Sequence, residues 1–151
     1  FKNIINVDIL KRADELDMRL DEIITLASII QNEAGDKNEM KKVSSVFHNR
    51  INNKSVFPKL QSDPTKKYVR ETISKSIIDT DDNIKNAYDT YKSEGFPPGP
   101  ISNPGLDAIM AALYPDETPY YYFCSNLKTR EFFYAITLDE QEKNLIKAGL
   151  R

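Results

Sequence analysis

The chain has 151 residues, 40% of them hydrophobic, with 21 Lys and Arg against 23 Asp and Glu for a net charge of −2. That length supports one globular domain with a real core, and the basic residues are scattered among acids, so the electrostatic footprint of a nucleic-acid binder is excluded. A single cysteine and a single histidine exclude a disulfide framework and nearly exclude zinc, so no metal and no other cofactor is expected.

Residues 1–20 are mixed and partly helical, with Val7, Ile9, Leu10, Ala13, Leu16 and Leu20 at helix-compatible spacing. Asp21 is placed to cap the next helix, with Leu20 and Ile24 as a hydrophobic staple. That helix runs to about Ala34 and is apolar on most sides, as a buried helix is. Gly35 breaks it, Asp36 starts a second helix from Asn38 to about Asn52, and the two form a helical hairpin. The second helix carries the stripe Met40, Val43, Val46, Phe47, Arg50 and Ile51. His48 falls beside that stripe and reads as a partly exposed helix residue, not a catalytic one.

Prolines make residues 57–65 irregular, with Asp63-Pro64 fitting a helix start. Residues 65–86 are polar, helical in part and loop-like around Asp79-Thr80-Asp81-Asp82. The densest Pro/Gly stretch, Gly95 to Gly105, reads as a stiff, non-regular wall. A helix follows from Pro104 to Tyr114 with Leu106, Ile109, Met110 and Leu113 inside. Tyr120 to Cys124 and Glu131 to Ile136 are rich in strand formers and predict a β-hairpin, in which Cys124 is a buried structural thiol. Thr137 to Lys147 closes the chain as a helix. The fold class is therefore α+β, one helix-dominated domain with a glutamate-bearing helical hairpin and a small C-terminal β-hairpin. No run of about 20 apolar residues spans a membrane and no signal peptide is present. The chain opens on Phe1 instead of Met and reads as a piece of a longer protein.

Glu33 stands at the end of the first long apolar helix, on the face of Leu26, Ile29 and Ile30, which precede it by seven, four and three residues. A carboxyl group half-withdrawn from water holds its proton above the usual ~4.3, which suits a general acid for a glycosidic bond. The plainer alternative is that Glu33 marks where a buried helix surfaces. The aromatic complement of 8 Tyr and 7 Phe with no Trp suits uncharged ligands such as sugars, although core packing accounts for many of these rings equally well.

Four ordered segments carry a resemblance: Leu26 to Gly35 (LASIIQNEAG), Val43 to Ile51 (VSSVFHNRI), Leu60 to Thr65 (LQSDPT), and Tyr88 to Tyr91 leading into Gly95 to Ile109 (GFPPGPISNPGLDAI). Their order and spacing, over residues 20–147, resemble the YceG-like endolytic murein transglycosylases. The resemblance implies a lyase that cleaves peptidoglycan glycan strands between N-acetylmuramic acid and N-acetylglucosamine. Such cleavage leaves 1,6-anhydro-muramic ends and terminates growing strands beside the synthases. It implies a bitopic protein at the extracytoplasmic face of the bacterial membrane, whose N-terminal membrane helix and LysM-like module are not in this chain. Residues 1–151 would be the catalytic portion alone.

By the same resemblance Glu33 is the catalytic acid, on a helix placed like the active-site helix of lysozyme. One carboxylate suffices when the sugar's own C6 hydroxyl attacks, whereas an ordinary glycosidase needs two. Candidates for the sugar clamp in the matching motifs are Gln61 and Tyr91, then Asn49, Ser62, Asp63, Tyr88 and Asn103. Asp63 reads equally as a helix cap, Asn103 as a turn residue before Pro104, and Arg50 as the partner of an acid. The chain departs from the family at Gln31, where an acid is common, at Gln141, where a histidine is common, and in the absence of a Gly-rich loop at 66–86. Two other readings stay open. One is a glycan-binding or scaffolding module without turnover, and the other a two-carboxylate muramidase using Glu33 and Asp63.

Overall fold

The structure, a computed structural model, describes residues 5–76 and 81–151. Helix α1 (Val7–Glu15) starts where the Asn6 side chain accepts from the Ile9 N–H at 3.0 Å. α2 (Leu20–Glu33) and α3 (Lys37–Ile51) form the expected hairpin. α4 (Asp63–Tyr68) runs on into one π turn at Val69–Ile73, and α5 (Asp82–Tyr88) follows the segment left undescribed. α6 (Leu106–Leu113), strands β1 (Tyr122–Ser125) and β2 (Phe132–Ala135), and α7 (Leu138–Lys147) complete the domain. The strands are antiparallel, with Tyr122 opposite Ala135 and Ser125 opposite Phe132, and α7 covers them. This is the α+β class expected. Among the described residues no helix is long and apolar enough to cross a membrane.

The core is the packing of α2 against α6 and α3. Ile23, Leu26, Ile29 and Ile30 of α2 have no exposed surface, each contributing roughly 1.5–3 kcal/mol by leaving water. Ala108, Ala111 and Ala112 of α6, also at 0–1% exposure, supply the small surface that lets two helix backbones approach. Of the α6 residues expected inside, Ile109 and Leu113 are buried and the other two are not. Leu106 and Met110 are 51% and 38% exposed, because the buried face of α6 is made by the three alanines together with Ile109 and Leu113.

Several local expectations are corrected. Asp21 does not cap α2. The helix begins two residues earlier, with Arg19 in the cap position; Glu22 accepts from the Arg19 N–H at 3.1 Å, and Asp21 pairs with the Arg19 guanidinium at 3.0 Å. Leu20 and Ile24 are then neighbours within the helix and no staple. At the hairpin turn Ala34 is already extended, and Asp36 caps α3 by accepting from the Asn38 and Glu39 N–H groups at 2.8 and 3.2 Å. Asp63 is the first residue of α4, with Ser62 in the cap position. Asp81 caps α5 and Asp82 begins it, so these two are not loop; Asp79 and Thr80 lie outside the described residues. His48 is buried, not half-exposed, with Nε2 at 2.7 Å from the Ala112 carbonyl. Burial holds its pKa below the ordinary value, so the neutral ring donates from Nε2 and ties α3 to α6. Cys124 is buried as expected, and burial pushes its thiol pKa up.

Candidate functional site

Glu33 ends α2 at a cleft of about 960 Å³, and Gln61, Asp63, Tyr91, Arg50 and Asn32 join it in the lining. The cleft continues along Lys66, Lys67 and Arg70 of α4 and its π turn, and past Tyr121, Tyr122, Phe123 and Gln141. Such a surface offers ring faces and hydrogen-bonding groups together, which is what a sugar polymer engages. The Glu33 carboxyl keeps a narrow opening to solvent, but protein atoms crowd it on its other sides. Burial, aided by the nearby charge of Asp63, pushes its pKa from 4.5 up to about 7, against the opposing pull of a hydrogen bond from Ser62. The acid is therefore half-protonated at neutral pH.

The LQSDPT segment delivers the site through an unusual backbone. Gln61 has φ +55°, a left-handed conformation that non-glycine residues avoid, so its side chain is turned out while Ser62 is turned in. Ser62, 1% exposed, donates to Glu33 Oε1 at 2.7 Å. The Tyr91 hydroxyl donates to Asp63 Oδ1 at 2.7 Å, and Lys66 Nζ lies 3.7 Å from the Tyr91 ring centre. Burial, with the Asp63 bond and charge behind it, raises the Tyr91 pKa, so the phenol stays a donor.

Arg50 does not pair with an acid; no ion pair among the described residues involves it. Its Nε donates to Tyr121 O at 2.7 Å and Nη1 to Lys59 O at 3.0 Å, so it joins the two cleft-lining segments. It also lies over the Phe57 and Tyr122 rings at 5.1 and 5.0 Å.

Of the sequence-predicted residues, the cleft gathers Glu33, Gln61, Asp63 and Tyr91, with Ser62 behind them on Glu33. It does not gather the other three. Asn49 spends both amide hydrogens on the Thr118 and Tyr120 carbonyls, each at 2.8 Å, and holds the approach to β1. Tyr88 packs on Tyr68 at 5.3 Å between ring centres and sits against Gly99, where a Cβ would meet its hydroxyl at 3.3 Å. Asn103 is exposed and outside the lining.

The departures from the family also acquire roles. Gln31 Oε1 accepts from the Gly105 N–H at 3.0 Å, tying α2 to the start of α6, and a Cβ on Gly105 would crowd that oxygen at 3.2 Å. Gln141 is buried in the cleft wall with Nε2 donating to Phe123 O at 3.0 Å, while its Oε1 is buried with no partner. Sequence reading missed Asn32, whose amide donates to Ser28 O and Ser102 Oγ, both at 2.7 Å, and so fastens the proline-rich wall to α2. It also missed Thr65 and Thr90, which lie under Ser62. Both stood inside quoted motifs, but nothing in local spacing signals a contact 25 residues apart. Among the described residues no group of three or more His, Cys, Asp or Glu side chains is placed to hold a metal.

The site is thus one glutamic acid that holds its proton near neutrality, at the end of a buried helix of an α+β domain, opening on an aromatic and polar cleft. The chain belongs to the YceG-like family, whose model matches residues 1–147. It is 39% identical over 121 residues to an endolytic murein transglycosylase of Bacillus subtilis, covering 80% of this chain and 32% of that protein. It is 27% identical over 133 residues to an endolytic murein transglycosylase of Streptococcus pneumoniae, covering 85% of this chain and 24% of that one. A 2.6 Å crystal structure of a YceG-like protein from Listeria monocytogenes superposes with a TM-score of 0.76 at 34% identity, covering 95% of this chain and 45% of that one. The chain thus spans about a third or less of the curated relatives it matches.

Proposed function

We propose that this chain is the catalytic part of an endolytic murein transglycosylase, acting on peptidoglycan glycan strands at the bond from N-acetylmuramic acid to N-acetylglucosamine. The observation that carries the reading is Glu33, raised to about 7 at the floor of the cleft. Similarity to two proteins named endolytic murein transglycosylase supports the substrate. Protonated Glu33 gives its proton to the leaving glycosidic oxygen as the C1–O bond breaks. The resulting carboxylate takes the proton from the C6 hydroxyl of the muramic residue as that oxygen closes on C1, and a 1,6-anhydro end forms. Intramolecular attack removes the entropic cost of ordering a water. Gln61 and Tyr91 would contact the sugar from the cleft wall. Strand termination beside a synthase, at the extracytoplasmic face of the membrane, is the setting this chemistry fits.

A second reading has one specific observation behind it: Asp63 lines the same cleft and its charge acts on Glu33. A water activated by Asp63 would make the protein a two-carboxylate muramidase. Mass spectrometry of peptidoglycan digested by the wild type and by Glu33→Gln separates these readings. Ends lighter by one water, absent with the variant, establish transglycosylation; reducing ends that vanish with Asp63→Asn establish hydrolysis. Cleavage by neither protein refutes both and leaves a binding module.

A further inference from the structure

Among the described residues the hydrogen bond Glu33 receives at its carboxyl comes from Ser62, and Ser62 is held on both sides of its own backbone. Its N–H donates to Thr90 Oγ1 at 2.8 Å, and its carbonyl accepts from Thr65 Oγ1 at 2.7 Å. The two threonine hydroxyls are 2.9 Å apart, and the Thr90 N–H donates to Thr65 Oγ1 at 3.2 Å. Thr65 and Thr90 have no exposed surface.

Each hydroxyl owns one proton, which fixes the direction of every bond. Thr65 gives its proton to the Ser62 carbonyl. The alternative acceptor for Thr90, that same carbonyl, is 3.4 Å away, so Thr90 gives its proton to Thr65 Oγ1. Thr90 Oγ1 is then the acceptor for the Ser62 N–H, and the loop closes with no donor to spare. What remains to Ser62 is its own O–H, aimed at Glu33 Oε1. The strained left-handed Gln61 next door is held by the same residue, its N–H donating to the Thr90 carbonyl at 3.2 Å. Strain of this kind persists where surrounding contacts over-determine it, and it gathers at functional sites.

We propose that Thr65 and Thr90 are positioning residues that lock the Ser62 hydroxyl onto Glu33 Oε1, so that Oε2 is the oxygen that carries and delivers the acid proton. The proposal rests on Glu33 being the general acid. When Oε2 releases its proton, the Ser62 bond becomes charge-assisted and strengthens, so the device stabilises the carboxylate that forms during bond cleavage. The other ionisable groups facing this position are Asp63 at the start of α4, Tyr91 after α5 and Arg50 of α3. The Tyr91 hydroxyl is committed to Asp63, and Nε and Nη1 of Arg50 to backbone carbonyls. None of them hydrogen-bonds the Glu33 carboxyl among the described residues, where Ser62 is the donor.

The test compares Thr90→Val, Ser62→Ala and Thr90→Ser, reading kcat, the alkaline limb of the pH profile, and the Glu33 carboxyl titration by carbon-13 NMR. Thr90→Val and Ser62→Ala should each move the titration upward by about half to one pH unit and lower kcat by ~10–100-fold. Thr90→Ser, which keeps the hydroxyl, should stay near wild type. Loss of activity in Thr90→Val that is uniform in pH with an unmoved titration would overturn the proposal, as would equal losses for Ser and Val. If Thr90→Val fails to fold by circular dichroism, Ser62→Ala decides, since it leaves the backbone loop intact; an unmoved titration there is fatal. The titration needs no turnover, so variants that show these shifts while the wild type cleaves no glycan overturn the functional reading and spare the hydrogen-bond assignment.

Discussion

Glu33→Gln should stabilise the protein at alkaline pH and leave its stability nearly unchanged at acid pH. In the folded state the carboxyl titrates at about 7, against 4.5 for an unburied glutamate. Between those values the folded state binds the proton more tightly than the unfolded one. The stability this confers is complete below 4.5 and is lost as pH rises through 7, because the ionised form must then be kept among crowding protein atoms. At about 1.4 kcal/mol per pH unit over about 2.5 units the loss approaches ~3.5 kcal/mol, and solvent contact at the cleft mouth trims it to about 2–3 kcal/mol. A glutamine has the same shape, still accepts from Ser62 Oγ, and does not ionise. The wild type and variant should therefore coincide at pH 4 and differ at pH 8.5 by about 2–3 kcal/mol. For a chain of this size that is roughly 5–10 °C in Tm. Urea unfolding of both proteins at the two pH values measures it, and taking the difference between proteins cancels every other titrating group. A gap that is the same at both pH values would show that Glu33 is not the buried acid described above.

The activity of the wild type should be highest where Glu33 is protonated and fall tenfold per pH unit above about 7, so a profile flat from pH 5 to 8 contradicts the assigned acid. Arg50→Met removes the donors to Tyr121 O and Lys59 O and should cost about 3 kcal/mol in urea unfolding, with Arg50→Lys losing less. Asn49→Ala strips both bonds to the Thr118 and Tyr120 carbonyls and should lower stability by ~1–3 kcal/mol. KM for glycan in the folded fraction of that variant should be unchanged, and a rise in KM would return Asn49 to the sugar clamp.

The fold was legible where burial and local chemistry point the same way. α2 is apolar almost all round and became the central helix; Thr137 followed by Glu140 is a capping box and α7 begins there. The hairpin strands could be read from their aromatic residues. Legibility failed where a partner distant in sequence decides the outcome. The polar-looking His48 is buried because Ala112, 64 residues away, offers it a carbonyl. Leu106 and Met110 face outward because the buried face of α6 is made by its alanines with Ile109 and Leu113. In the site, Glu33 was visible because it ends the apolar run of its own helix, whereas Asn49 and Ser62 looked like equivalent polar candidates. One holds backbone carbonyls and the other holds the acid, a distinction that hydrogen-bond partners make and residue type does not.

By itself, then, the sequence determined the secondary-structure elements, the α+β class and the one carboxyl group set against an apolar helix face, since periodicity, capping and turn chemistry act over a few residues. The tertiary structure alone decided what surrounds that carboxyl. The left-handed Gln61, the closed loop of Ser62, Thr65 and Thr90, and Arg50 bridging Lys59 to Tyr121 exist only once distant segments are packed together. Desolvation and hydrogen-bond direction are properties of that packing, and they turn a glutamate at a helix end into an acid with a proton to give.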